Sequence, residues 1–296
     1  MDKNKKRQLV FDIIITVLVV LVIVLIDFFV VSLRSSSGDF KEEVLQADQS
    51  QSINSPENSI ITKDLEQIKP GEKVFIPILN FHHIDKVPAN VSKTTASYYI
   101  EPNDFEMIMQ NLIAYNYQTV FLSEVIDLLE QGIKPPDNWL VLTFDDGNIN
   151  YYTNAWPILQ KYNLKSSIYI MTGVGGENYL SDEQIKELSE SSLVEVGSHT
   201  IYHPKLTQIS KPERLKELEI SKDELEELLN TDITILSYPF GLYNQEIKDL
   251  AKAVGYKAGL TFDQDAWQDP QDLFELKRIS VWPQMNVVKF LEKLKN

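Results

Sequence analysis

The stretch Leu140-Val141-Leu142-Thr143-Phe144-Asp145-Asp146-Gly147 limits the folds open to this chain more than any other. It is a short apolar run, partly β-branched, that stops abruptly in two carboxylates and a glycine. Such a run reads as a strand buried on both faces, and strands of that kind belong to parallel sheets covered by helices. The carboxylates then stand just past the strand's carboxyl end, where α/β sheets and barrels place their ligands. Neighbouring strand residues face opposite sides, so Asp145 and Asp146 need not share a task. An Asp-Gly pair alone is also ordinary hairpin punctuation, and the features that decide between the two readings lie elsewhere in the chain.

From Gly71 onward strand and helix patterns alternate. Strands are expected at 74–79, 119–122, 140–144, 166–171, 193–198, 233–238, 256–262 and 276–281. Helix 104–115 carries Phe105, Ile108, Met109, Leu112 and Ile113 at helical spacing. Ser123 is placed to cap a helix ending at Glu130, a helix is expected at 153–161, and Ser181 is placed to cap one ending near Ser189. Ser210-Lys211-Pro212-Glu213 is a capping box with proline in the first turn, opening a long acidic helix to Leu229. Gly255 closes the helix Gln245–Val254, and 287–294 is a final helix. Repeated βα units of this length imply a parallel sheet or barrel with helices outside, and residues 71–296 are enough for one barrel.

The first 70 residues are of another kind. Lys3, Lys5, Lys6 and Arg7 precede an apolar segment, 9–33, in which 13–26 is broken only by Thr16. Its length suits a membrane crossing, with Asp12 and Asp27 near the interfaces, and the leading basic residues predict a cytoplasmic N-terminus. No A-x-A pattern follows it, which favours an uncleaved anchor over a signal peptide. Residues 34–70 are rich in Ser, Gln, Asn, Asp and Glu and read as a stalk. The expected order is therefore a basic tail at 1–8, an anchor at 9–33, a stalk at 34–70 and a globular domain at 71–296 outside the cytoplasmic membrane. The formal net charge of −15 argues against a nucleic-acid partner. The chain has no cysteine, which removes disulfides, thiolate metal sites and cysteine nucleophiles.

Chemistry concentrates in the four histidines, which come as two pairs: His82-His83, and His199 with His203. The second pair also follows a strand. Its spacing of four lets one helical turn present both imidazoles on one face, close enough for one metal ion. A lone H-x-x-x-H is weak, but an Asp-Asp at another strand end completes an open site of two imidazoles and one carboxylate with a position left for water.

Thr143-Phe144-Asp145-Asp146-Gly147 followed by Ser198-His199-Thr200-Ile201-Tyr202-His203 resembles the NodB-homology polysaccharide deacetylases, carbohydrate esterase family 4. Ser237-Tyr238-Pro239-Phe240-Gly241 is similar to that family's third motif. The stretch from Ile76 through His82-His83-Ile84 is similar to the first strand of its exopolysaccharide branch. The resemblance implies an α/β fold, a distorted (β/α)7-type barrel, and hydrolysis of N-acetyl groups on amino sugars. It implies a divalent metal, usually Zn2+, on Asp146, His199 and His203, with Asp145 as general base and the backbone N–H of Phe240 at the oxyanion. The family's late histidine is absent, because Leu276-Lys277-Arg278 stands where Leu-x-His is expected. The exopolysaccharide branch points instead to His82 as general acid, with His83 as runner-up. No arginine precedes the third motif, and Arg278 is the candidate to replace it. Leu276 is a candidate for the acetyl-methyl pocket, and Tyr202, Tyr238, Trp267 and Trp282 for sugar stacking, although core packing explains any one of them. The resulting expectation is a membrane-anchored, extracytoplasmic deacetylase of N-acetylated polysaccharide. A non-catalytic carbohydrate-binding protein on the same barrel and a zinc amidase acting on peptide are its rivals.

Overall fold

A computed structural model describes residues 66–295. The expected tail, anchor and nearly all of the stalk lie outside the described residues, and among those described no helix is long and apolar enough to cross a membrane.

The strands are β1 (Val74–Phe75), β2 (Ile78–Phe81), β3 (His83–Ile84), β4 (Tyr99–Ile100), β5 (Gln118–Val120), β6 (Trp139–Phe144), β7 (Ser166–Ile170), β8 (Val194–Ser198), β9 (Ile235–Ser237), β10 (Ala258–Gln264), β11 (Trp267–Gln268) and β12 (Leu276–Ser280). The helices are α1 (Lys93–Ala96), α2 (Pro102–Ala114), α3 (Leu122–Glu130), α4 (Trp156–Tyr162), α5 (Asp182–Ser189), α6 (Lys211–Leu229), α7 (Gln245–Val254) and α8 (Val287–Lys295). Seven parallel strands, in the order β2-β12-β10-β9-β8-β7-β6, close on themselves through β2–β6. β5 stands outside this ring. It pairs with the first half of β6, from Gln118↔Trp139 to Val120↔Val141, and β7 takes over the same edge at Thr143↔Ser167.

Alternation along β6 explains both sides of the wall. Leu140, Leu142 and Phe144 join the core between barrel and helices. Val141 belongs to the cluster inside the barrel, with Ile76, Ile78, Tyr169, Ile235, Leu260 and Leu276. Each fully buried aliphatic or aromatic side chain of this kind stabilises by about 1.5–3 kcal/mol. Continuing the alternation brings Thr143 and Asp145 to the barrel axis, where Asn80, Ser237 and Arg278 are also buried. The barrel interior is thus apolar below and polar towards the carboxyl ends.

Several local expectations are corrected. The expected strand 74–79 is two strands, because Pro77 has no N–H for a ladder: β1 pairs antiparallel with β11, and β2 starts afresh in the barrel. Ser123 does not cap α3. Phe121 is the N-cap residue, and its N–H is satisfied by Glu124 Oε2 at 2.8 Å. The helix expected at 153–161 begins as a π-helical turn, Tyr151–Ala155, and becomes α-helical only at Trp156, beside Pro157. The Ser181 and Ser210 capping boxes and the left-handed Gly255 at the end of α7 are present.

Candidate active site

Asp145 lies at the mouth of the barrel and is completely buried together with Arg278. The guanidinium grips the carboxylate in a fork, Nη1 to Oδ1 at 2.9 Å and Nη2 to Oδ2 at 2.8 Å. Its other donors reach Thr261 O at 2.9 Å, Ser237 Oγ at 3.1 Å and Thr143 Oγ1 at 3.4 Å. Every Arg278 N–H is therefore used, which is what a buried guanidinium requires. Burial pushes the Asp145 carboxyl up, but the charges of Arg278 and His199 outweigh it and hold the group well below the usual carboxylate range. Asn80 Nδ2 donates to Asp145 Oδ2 at 3.5 Å, and Asn80 Oδ1 is buried without a partner.

Asp146 takes a different direction from Asp145 because its backbone is left-handed, φ 73°, and Gly147 follows at φ 68°. This double turn swings the second carboxylate over the barrel mouth. Asp146 Oδ1 lies 3.5 Å from His199 Nε2 and 3.9 Å from His203 Nε2. One ligand atom from each of the three residues lies within 4.8 Å of the others.

The residues fit a divalent metal on a further observation. His199 Nδ1 donates to Ser237 O at 2.8 Å, which fixes the tautomer and leaves the Nε2 lone pair towards Asp146. Burial and the neighbouring His199 push His203 down to about 4, so at neutral pH its imidazole is uncharged, as a ligand must be. Burial opposes protonation of His199, but Asp145 and Asp146 prevail and raise it.

The expected helical turn between the two histidines is corrected. Residues 199–203 form a loop in which Thr200 and His203 are left-handed, φ 66° and 55°. Ser198 Oγ accepts the Thr200 N–H at 3.2 Å, and Thr200 Oγ1 accepts the His203 N–H at 3.1 Å. Glu217 on α6 accepts the N–H groups of Ile201 and Tyr202 through one oxygen, at 2.9 and 3.0 Å. This helix is acidic along its length, and no local signal separates Glu217 from its acidic neighbours.

His82 projects from the end of β2 into a cavity of about 190 Å3 shared with His83, Thr95, Tyr98, Asp146, His203, Phe240 and Phe262. Its ring stands 4.6 Å from Tyr98 and 5.6 Å from Phe262. Burial lowers its pKa against the opposing pull of Asp145 and Asp146. His83 stacks on Tyr99 at 4.2 Å, and its Nδ1 is 3.2 Å from Asn150 Nδ2. Phe240 is left-handed at φ 58°, and its ring lies 4.4 Å from His203.

Leu276 and the four stacking candidates are not among the residues that line the cavity, Tyr202 and Trp282 being exposed outside it. Leu276 is packed in the apolar lower barrel, one inward position below Arg278, and does not reach the cavity shared by His82 and Asp146. Tyr238 is fully buried and stacked on Tyr243, with no face open to a sugar. Trp267 pairs with Phe75, upstream of the first barrel strand, and meets that ring edge-on at 5.4 Å. Tyr98 and Phe262 occupy the walls instead. Nothing near them in sequence marks them, because the chain returns to the site through the β3–β4 pair and through β10.

This arrangement sets an ionised, buried carboxylate beside an imidazole and three residues able to hold a metal ion, the set that water-activating hydrolysis uses. Comparison with known proteins agrees. The polysaccharide deacetylase family profile matches residues 132–259. YxkH of Bacillus subtilis (strain 168), assigned to the polysaccharide deacetylases, is 31% identical over 220 residues, 74% of this chain and 76% of that protein. The poly-β-1,6-N-acetyl-D-glucosamine N-deacetylase of Staphylococcus aureus is 26% identical over 225 residues, 69% of this chain and 77% of that one. The structure of the Streptococcus pyogenes deacetylase PplD in complex with acetate superposes with a TM-score of 0.69 at 30% identity, covering 76% of this chain and all of that one. On these grounds the chain belongs to the polysaccharide deacetylase family.

Proposed function

We propose that this chain is a metal-dependent hydrolase that removes N-acetyl groups from N-acetylglucosamine-containing polysaccharide outside the cytoplasmic membrane. The observation that carries this reading is Asp145, ionised and buried against Arg278 beside Asp146, His199 and His203. A pure binding protein has no need of that carboxylate, so Asp145 also argues against the non-catalytic alternative. The Staphylococcus relative gives β-1,6-linked N-acetylglucosamine polymer first place among substrates.

In this reading Asp146, His199 and His203 hold the metal, with Zn2+ the ion best suited to two imidazoles and a carboxylate. The ion supplies Lewis acidity, polarising the amide carbonyl and lowering the pKa of water. Asp145 accepts the proton of the attacking water, and Arg278 keeps it ionised and aimed. The Phe240 N–H donates to the oxygen that gains charge. His82 delivers a proton to the departing amine. It is the better candidate than His83, whose Nδ1 is engaged with Asn150. Residues 1–8 form the cytoplasmic tail, 9–33 the single membrane anchor and 34–70 the stalk of a catalytic domain at 71–296. That placement rests on the basic-then-apolar pattern of the first 33 residues.

The test is acetate release from β-1,6- and β-1,4-linked N-acetylglucosamine oligomers, and from acetylated peptide amides, by zinc-loaded protein. Release from a sugar polymer, lost in Asp145→Asn, is expected. His82→Ala should cost about 10²–10⁴-fold in kcat with metal still bound. Binding of both metal and sugar with no release from any polymer would overturn the reading in favour of a binding protein.

A further inference from the structure

Of the ten exposed large apolar side chains among the described residues, six lie at one end of the barrel. Val87 and Tyr98 follow β2, Tyr202 follows β8, Phe240 and Leu242 follow β9, and Trp282 follows β12. Each lies on a connection leaving the carboxyl end of a barrel strand, the end that carries Asp145 and the three ligand residues. An apolar concentration of this kind on an otherwise acidic protein marks a binding face.

Two of these rings are walls of the site cavity. Tyr98 is 39% exposed with its ring 4.6 Å from His82, and Phe240 is 46% exposed with its ring 4.4 Å from His203. Both line the cavity that holds Asp146 and Phe262. Tyr98 is firmly placed. Its carbonyl accepts the His83 N–H at 3.1 Å, its N–H donates to Thr95 O at 3.1 Å, and the next residue pairs with His83 in the β3–β4 ladder. Ser92 Oγ in turn accepts the Thr95 N–H at 3.0 Å and caps α1. Tyr98 therefore has one side on His82 and the rest of its surface open at the mouth, and Phe240, between His203 and the Lys205 ammonium 5.4 Å from its ring centre, keeps an exposed part there too, while the small cavity between them suits the acetamide end of one sugar. An open aromatic surface beside such a cavity fits the apolar face of a further pyranose ring.

We propose that Tyr98, opposed by the Phe240 ring, is a stacking platform for the sugar residues adjoining the one whose acetamide enters the cavity. These two side chains thereby make the protein prefer a polymer over a single sugar. The proposal rests on the deacetylase reading of the site and adds to it the residues that recognise chain length.

The test uses the full chain as wild type, Tyr98→Ala, Tyr98→Phe, Phe240→Ala and the exposed-aromatic control Tyr115→Ala, each checked for an unaltered melting temperature. Acetate release is followed with N-acetylglucosamine monomer to hexamer, and hexamer binding is measured separately by calorimetry. Tyr98→Ala and Phe240→Ala are expected to raise KM and weaken binding for the hexamer several-fold, up to about tenfold, and much less for the monomer. Tyr98→Phe should behave as wild type, and so should Tyr115→Ala. Lower kcat with unchanged KM and hexamer binding would overturn the proposal, since Tyr98 would then only prop His82. Equal losses for monomer and hexamer would also overturn it. If wild type releases no acetate from any polymer, the deacetylase reading fails and the calorimetry still decides: length-dependent binding lost in Tyr98→Ala sustains the platform, and its absence overturns it.

Discussion

Replacing Arg278 by methionine keeps much of the side chain's volume and removes its charge. Both members of the Asp145–Arg278 pair have no exposed side-chain surface, and the carboxylate is gripped at 2.8 and 2.9 Å. Removing one partner of such a pair leaves the other charge buried and uncompensated, a loss of about 3–5 kcal/mol. For a domain of this size each kcal/mol corresponds to about 2–4 °C, so the melting temperature should fall by about 6–20 °C. The pH dependence gives a sharper check. In the wild type the folded pKa of Asp145 is depressed, so the pair's contribution is present above the unfolded carboxylate value and is lost as pH falls through the folded one. In Arg278→Met only the pull of His199 and His82 still opposes burial, so the folded pKa rises from its wild-type position, and the variant's penalty is full above that raised value and fades as pH falls towards the unfolded value of about 3.9. The gap between the two proteins in urea unfolding, measured without metal, should therefore be widest near neutrality and narrow towards pH 4. Adding Asp145→Asn to Arg278→Met should recover stability, because no bare charge remains. A loss under about 1 kcal/mol at pH 7, or a gap that does not move with pH, would refute the argument that this pair is desolvated and mutually dependent.

Three further outcomes follow from the same geometry. Glu217→Ala removes the acceptor of two loop N–H groups between His199 and His203. It should weaken metal binding about 10–100-fold in a chelator competition, and a change within twofold would show that the loop is held by other contacts. Gly147→Ala places a Cβ 3.1 Å from Ile170 Cδ1 on a backbone at φ 68°; it should cost about 1–2 kcal/mol in urea unfolding, and an unchanged midpoint would contradict the left-handed turn. Because His199 is raised by its carboxylate neighbours despite burial, a proton competes with metal there even above the ordinary imidazole range. Metal affinity should fall by about tenfold per unit as pH drops through that range, with protons released on binding, and an affinity flat from pH 8 to 6 would exclude this competition.

What the sequence disclosed was local. The period-two pattern of residues 140–145 separates Leu140, Leu142 and Phe144 from Val141, Thr143 and Asp145, and the structure puts the first set against helices and the second along the barrel axis. Capping chemistry marked the starts of α5 and α6 because Ser181 and Ser210 act on groups three residues away. What stayed hidden was either long-range or conformationally unusual. Glu217 reaches its partners over 15 and 16 residues. The pair β3–β4 brings Tyr98 beside His82 through a connection with no apolar period. Thr200 and His203 adopt left-handed backbone without being glycine, so helical spacing gave the right proximity for the wrong reason. Asp145 and Arg278 are 133 residues apart, and the one local sign of their pairing is the absence of an arginine before Ser237.

Two departures from the family's motifs have one physical origin in the proposed mechanism. The ring closes as β12–β2–β6, so Arg278, His82 and Asp145 come from three successive strands. Arg278 faces inward two residues above the apolar Leu276, and from that level its side chain can reach Asp145 across the width of β2. A guanidinium placed there supplies the orienting charge that the third motif lacks. Arg278 stands where the late histidine is expected, so β12 supplies no imidazole at that position. His82 continues β2, the strand between the other two, two residues beyond Asn80 on the same face, and so stands above the Asp145–Arg278 pair and next to Asp146 and His203. Barrel closure makes neighbouring strand ends interchangeable as sources of a side chain at the mouth, so the base-orienting and acid positions can each move to another strand while the carboxylate and the three ligand residues stay in place.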